Sequence, residues 1–305
     1  LYTHDDFGHH ETPPGHPEQQ PRYAYVKDAL AGPDFGFLER REAPEVAWDR
    51  ITLAHPEPFS QIVREAAPSD ETVIQLDPDT WMGRHSLSAS RRAAGAGVEA
   101  VDEMMAGRAD NAFVAARPPG HHAEQDRAMG FCVFNSAAIA ALHAQEAHGC
   151  TRVAVVDFDV HHGNGTQAIF WDRENAFFAS SHQWPHYPGT GRDTDRGLHG
   201  QIRNTTLQNG EGGDEFRRAW GETLLPALSD FDPDFIVISA GFDAHAADPL
   251  GGLNLMEDDF LWVTEEIKAV AAAQCQGHIV SFLEGGYDLE ALAKSAAAHV
   301  KALAS

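Results

Sequence analysis

Five short apolar runs, Ala112–Ala116, Arg152–Phe158, Phe177–Ser181, Phe235–Ala240 and His278–Leu283, are not divided into a polar and an apolar face. A strand that is apolar on both faces has to be covered on both, which is the condition of a parallel sheet held between helices. The intervening stretches supply the helices. Helical patterns run over Ser90–Ala106, Asn135–His148, Asp214–Ser229, Glu257–Gln274 and Leu289–Ala304. In the third, Phe216, Trp220, Leu224 and Leu228 make one apolar stripe that reads as core packing. Thr72–Leu76 reads as a weaker sixth strand and Leu1–Thr3 as an edge strand. Strand–helix alternation without a Pro/Ser-rich linker or charge block predicts one domain over residues 1–305, an open α/β sheet with right-handed crossovers.

Composition narrows the function. The net charge of −24 repels phosphate backbones and anionic lipid heads, which argues against nucleic-acid and membrane-surface partners. No apolar run is long enough to span a bilayer. The three cysteines, Cys132, Cys150 and Cys275, form no C-x-x-C pair, so neither a disulfide framework nor a thiolate zinc site follows, and a reducing cytoplasmic compartment is expected. Eighteen histidines direct attention to a metal or proton-transfer site.

In a doubly wound sheet the site lies beyond the carboxyl ends of the strands, and unusual residues do follow each run. After Arg152–Val156 comes Asp157-Phe-Asp-Val-His-His-Gly-Asn-Gly165. Asp157, Asp159 and His161 alternate along extended chain and so project to one side. Two carboxylates buried side by side are costly unless a cation sits between them. After Phe235–Ala240 comes Gly241-Phe-Asp-Ala-His-Ala-Ala-Asp248-Pro249, where Asp243 is a third candidate ligand. His245 and Asp248 compete for that role; His245 reads as a rim or supporting residue and Asp248 as a turn or cap residue before Pro249. Two Asp and one His leave a position open, as in a catalytic zinc site. After Ala112–Ala116, the stiff turn Arg117-Pro-Pro-Gly120 presents His121-His122, read as acid–base machinery. After His278–Leu283, Glu284-Gly-Gly-Tyr287 offers a phenol that could donate to a developing oxyanion. No phosphate-binding glycine motif follows a strand, and no G-x-S-x-G elbow occurs.

These segments, together with Thr12-Pro-Pro-Gly-His-Pro-Glu18, Gly130-Phe-Cys132 and Tyr187-Pro-Gly-Thr-Gly191, resemble the histone deacetylase superfamily. The likeness is to its class II branch, with bacterial deacetylase-like and acetylpolyamine amidohydrolases. The resemblance implies an arginase/deacetylase-like three-layer α/β fold with a central, mostly parallel sheet of about eight strands. It implies one zinc ion per chain on Asp159, His161 and Asp243, His122 as general base and acid, and His121 as its electrostatic neighbour backed by Asp157. Asn164 stands behind His122 where class I relatives carry Asp. Tyr287 matches the catalytic phenol, Phe131 and Tyr187 the channel walls, and Gly130 the carbonyl that accepts the substrate N–H. A monovalent cation, usually potassium, is implied at Asp157, Asp159, His161, Ser180 and Ser181, and a second near Phe170, Arg173 and Ala176.

The stretch Asp77-Pro-Asp-Thr-Trp-Met-Gly-Arg-His-Ser86 departs from the family's substrate-facing loop. Asp77 or Asp79, with the bulky Trp81 and Arg84, is therefore expected to shape the rim and alter substrate choice. The implied reaction is hydrolysis of a linear acyl-amide in acetyl-lysine, acetylpolyamine or a small non-protein amide, with homo-oligomers compatible. The rivals are a two-manganese ureohydrolase of the same fold, which leaves the His-His pair and the Gly-Gly-Tyr unexplained, and a non-catalytic acyl-group- or metal-binding module.

Overall fold

The computed structural model describes residues 1–305. Ten strands form: β1 (Tyr2–Thr3), β2 (Arg41–Glu42), β3 (Ile74–Asp77), β4 (Thr80–Met82), β5 (Asn111–Val114), β6 (Val153–Asp157), β7 (Ala176–Gln183), β8 (Ile202–Leu207), β9 (Phe235–Ala240) and β10 (Ile279–Leu283). Eight of them make one sheet in the order β2-β1-β5-β10-β9-β6-β7-β8, and every pairing in it is parallel. The arginase/deacetylase-like expectation of about eight mostly parallel strands is met. Every residue of β6, β7, β9 and β10 is buried, as runs without a polar face require.

Helices cover both faces. On one lie α1 (Asp5–His9), α3 (Trp48–Ile51), α4 (Glu57–Ala66), α5 (Ser86–Met105), α6 (Ser136–His148) and α7 (Asn164–Phe170); their core includes Ala96, Ile139, Leu142 and Phe170. On the other lie α2 (Pro21–Ala29), α8 (Gly213–Ala219), α9 (Leu225–Phe231), α10 (Glu257–Gln274) and α11 (Leu289–Ala304), packed around Trp220, Phe242 and Phe260. Asn135 starts α6 by accepting the Ala138 N–H, and Gly149, at φ 70°, ends it in the left-handed conformation that glycine adopts without strain.

Three expectations need correction. Thr72–Leu76 is no member of the main sheet: β3 pairs only with β4, antiparallel, in a separate two-stranded ribbon. Leu1–Thr3 is not the edge, because β2 lies outside β1. The helix expected over Asp214–Ser229 is two α-helices joined by a π turn at Trp220–Leu224. Pro226 has no N–H to return to the preceding turn, so the ladder widens there, while Phe216, Trp220, Leu224 and Leu228 stay fully buried on one stripe.

The register sets up the site. Asp157 pairs with Ser239, and Ala240 with Leu283, so β6, β9 and β10 end side by side. The loops that follow them meet over the middle of the sheet.

Candidate active site

Asp159, His161 and Asp243 converge there, all buried, with one potential ligand atom from each within 4.8 Å of the others. His161 Nδ1 lies 3.1 Å from Asp159 Oδ1 and 3.1 Å from Asp243 Oδ2. Backbone amides hold the carboxylates in place: Asp159 accepts from His161 N (2.9 Å) and Gly285 N (2.9 Å), and Asp243 from Val160 N (2.8 Å). Position 285 has to be glycine, since a Cβ there would overlap the Oδ2 atoms of both Asp243 and Asp159. Burial alone would lower the His161 pKa, but its hydrogen bonds to Asp159 and Asp243 and their charges override it and raise the value to about 10. One imidazole nitrogen and two carboxylates in a buried cup beside a cavity are a donor set that fits a divalent zinc-type ion with a further position facing the cavity.

His121 and His122 stand on the other side. Glu284 holds their turn by accepting from Gly120 N (2.6 Å) and His121 N (3.1 Å), and burial pushes its own pKa to about 7. His121 Nδ1 is 2.9 Å from Asp157. The carboxylates of Asp159, Asp157 and Glu284 outweigh burial and raise the His121 pKa well above its ordinary value. His122 is the reverse case: burial, with His121 and His161 beside it, pushes its pKa well below the ordinary value. Its Nδ1 lies 2.8 Å from Asn164 Oδ1, whose amide nitrogen donates to Glu124 Oε1 at 2.7 Å. The Asn oxygen is therefore an acceptor, Nδ1 carries the proton, and Nε2 is left with a lone pair.

A cavity of about 240 Å³ runs down to these groups, lined among others by His122, Phe131, His161, Tyr187 and Tyr287. Phe131 sits at φ 69°, an unfavourable region for an aromatic residue, and Thr80 Oγ1 holds it by accepting its N–H at 3.0 Å. Tyr187 stands edge-on to His122, with ring centroids 5.2 Å apart. Burial keeps the Tyr287 phenol well above its usual pKa, hence protonated. A larger cavity, about 540 Å³, opens at the opposite end of the sheet against Leu1, Lys268 and Ser305. None of the converging groups reaches it.

Of the expected rim residues, Asp79 lines the cavity and accepts the Gly130 N–H at 2.9 Å. Asp77 instead pairs with Arg127 (2.8 Å), Arg84 lies by Glu71 (3.3 Å), and Trp81 sits in β4 outside the lining. Ser180 Oγ lies 2.9 Å from His182 Nδ1, and Ser181 Oγ accepts from Trp220 Nε1 at 2.9 Å. Phe170, Arg173 and Ala176 form consecutive turns, with the N–H of each later residue on the carbonyl of the one before. His245 is buried rather than at a rim and accepts the Ala247 N–H.

Two features escape sequence reading. Asp248 does make the expected local turn by accepting Leu250 N (2.9 Å), yet its other oxygen accepts Tyr287 N (2.6 Å) and Asp288 N (3.2 Å) and so fixes the phenol's loop. Glu18, Arg22 and Arg117 form a fully buried ionic knot, and Arg22 lies over the Tyr287 ring at 4.9 Å. Glu18 and Arg117 stand inside recognisable motifs, but nothing in their spacing tells that they meet.

Comparison with known proteins agrees with this geometry. Residues 16–303 match the family model of the histone deacetylase domain. The chain is 38% identical to histone deacetylase 10, chloroplastic, of Oryza sativa subsp. japonica, over 97% of this chain and 71% of that one. It is 40% identical to the histone deacetylase-like amidohydrolase of Pseudomonas aeruginosa, over 82% of this chain and 66% of that one. The crystal structure of the HDA15 HD domain superposes with a TM-score of 0.93 at 34% identity, covering 99% of this chain and 86% of that one. With the whole sheet and nearly the whole length accounted for, the chain belongs to the histone deacetylase superfamily, whose bacterial deacetylase-like amidohydrolases are among its relatives.

Proposed function

We propose that the protein is a zinc-dependent amidohydrolase that removes an acyl group from an amine, in acetyl-lysine, an acetylpolyamine or a small non-protein amide. The observation that carries this is the buried Asp159–His161–Asp243 cup facing a neutral His122 and a protonated Tyr287 across one narrow cavity. Bound in that cup, zinc supplies Lewis acidity that polarises a carbonyl and acidifies water. Phe131 and Tyr187 flank the aliphatic part of the substrate, and the Gly130 carbonyl accepts the amide N–H. His122 Nε2, freed by the Asn164 contact on Nδ1, takes the proton of the attacking water and returns it to the leaving amine. His121, next to it and held by Asp157, keeps positive charge by the reacting carbonyl. Tyr287 donates its hydroxyl proton in a hydrogen bond to the carbonyl oxygen as charge develops on it.

Potassium at Asp157, Asp159, His161, Ser180 and Ser181 would brace the cup, with a second ion by Phe170, Arg173 and Ala176. No helix is long and apolar enough to cross a membrane. The three cysteines are unpaired, and on that ground the proposed setting is a reducing compartment, the cytoplasm. The test is turnover of acyl-lysine peptides, acetylpolyamines and simple anilides by chelated and zinc-reconstituted protein. Hydrolysis that needs zinc and falls by roughly 10²–10³ in Tyr287→Phe is expected. Zinc-loaded protein that cleaves no amide, or a rate untouched by chelation, overturns the reading.

A further inference from the structure

One polar side chain in the cavity wall has no part in the chemistry above. His186 lines the cavity and stacks on His161, the rings 4.9 Å apart and inclined by only 18°. It therefore stands within a ring's breadth of the group that carries the proposed metal. Its Nε2 is 2.8 Å from the Leu250 carbonyl. A carbonyl can only accept, so in the tautomer that makes this contact Nε2 carries the proton and Nδ1 presents a lone pair. Nδ1 has no partner in the protein and is not among the buried unpartnered atoms. The stack and the Leu250 contact fix the ring from two directions, so the acceptor is oriented before any ligand arrives. The neighbouring wall residues Phe131, Tyr187 and Leu250 offer side chains suited to methylene groups.

We infer that His186 is a specificity-determining residue, a fixed hydrogen-bond acceptor that selects amides bearing a hydroxyl or N–H donor within a few bonds of the scissile group over their all-methylene counterparts. A substrate with only methylenes there leaves the nitrogen without the water it would otherwise keep, and a donor satisfies it. The inference rests on the amidohydrolase reading for its meaning, but its binding arm can be tested apart from turnover.

The experiment uses two isosteric pairs: the hydroxyacetyl and propionyl amides of one amine, and N-acetylethanolamine against N-acetylpropylamine. Each pair is compared by the ratio of kcat/KM and, independently, by the ratio of Kd from calorimetry. The donor-bearing member of at least one pair should be favoured by about 3–10-fold. That ratio should fall to one or below in His186→Phe, which keeps a ring on His161 but has no acceptor, and should be restored in His186→Gln. A ratio unchanged in His186→Phe overturns the inference, as does a parent protein with no donor preference in either measurement. If no amide turns over while the Kd ratio still depends on residue 186, the hydrolase reading fails and the acceptor assignment stands.

Discussion

Replacing Glu18 with Gln should unfold the protein at a markedly lower temperature and slow it before it unfolds. Glu18 is one carboxylate against two guanidiniums, all three fully buried. Its Oε1 accepts from Arg22 (2.8 Å) and Arg117 (2.5 Å), and its Oε2 accepts from Arg117 (2.6 Å) and lies 3.3 Å from His10 Nε2. The remaining donors of Arg22 hold the carbonyls of Gly286 and Glu284, each at 2.5 Å, directly beside Tyr287. Glutamine removes the only anion and turns an amide NH₂ toward a cation. Breaking a buried pair in this way costs about 3–5 kcal/mol. In a chain of this size that corresponds to a fall in Tm of about 5–8 °C. Because Tyr287 loses its backing, kcat on whichever acyl amide proves to be a substrate should drop more than KM changes. Replacing Glu18, Arg22 and Arg117 together by Met removes the charges as a set and should recover much of the Tm. It leaves the two carbonyls unheld, so kcat should stay low. A Glu18→Gln protein that melts within about 2 °C of the parent refutes the reasoning, because the knot would then have no energetic weight.

Three further outcomes are expected. Asp248→Asn turns one of two accepting oxygens into a donor against the N–H groups of Tyr287 or Leu250, so kcat should fall about 10–100-fold with little change in KM, and steady-state rates showing no loss would remove Asp248 from the positioning of the phenol. Gly285→Ala should weaken zinc binding by about 10–100-fold in a chelator competition while circular dichroism stays native, because its Cβ displaces both carboxylates; undiminished affinity would argue against the cup. Burial depresses His55 to about pKa 4 and His299 to about 3, so both are neutral when folded and take up a proton on unfolding below about pH 6.5. Their contribution is complete above that pH and is lost as pH falls toward those values, roughly 3 kcal/mol for His55, so Tm should decline between pH 6.5 and about 4. His299→Gln should flatten that decline, and an identical pH profile would contradict it.

The central strands were legible because burial on both faces leaves an unbroken apolar run, and β9 matches its expected limits. β8 was not, since at the sheet's edge it carries Arg203, Asn204, Thr205 and Thr206, which look like loop. Helix α2 is obscured in the sequence because its buried stripe of Tyr23, Val26 and Leu30 is flanked by a buried Arg22, neutralised by a carboxylate one turn earlier, and by an outward-facing Tyr25. The convergence of Asp159, His161 and Asp243 was readable from their places after two strands, because parallel neighbours in register end together. Asp77 and Trp81 were misplaced relative to the cavity for the opposite reason: they lie on the small antiparallel ribbon, whose position no strand-end rule fixes. Asp248 looked like an ordinary turn residue because its longer-range contact, to the backbone of Tyr287, leaves no trace in side-chain pattern.

Asp159 accepts one main-chain amide from its own loop and one from the loop after β10, and Asp243 accepts one from the loop after β6. The loops are thereby sewn to one another by the protein itself. An ion leaving such a receptacle has no scaffolding to take with it, so emptying and refilling are local events that do not require the chain to refold. On the proposed zinc-hydrolase reading, exchange of the ion is then set by its own release rather than by any unfolding of the chain.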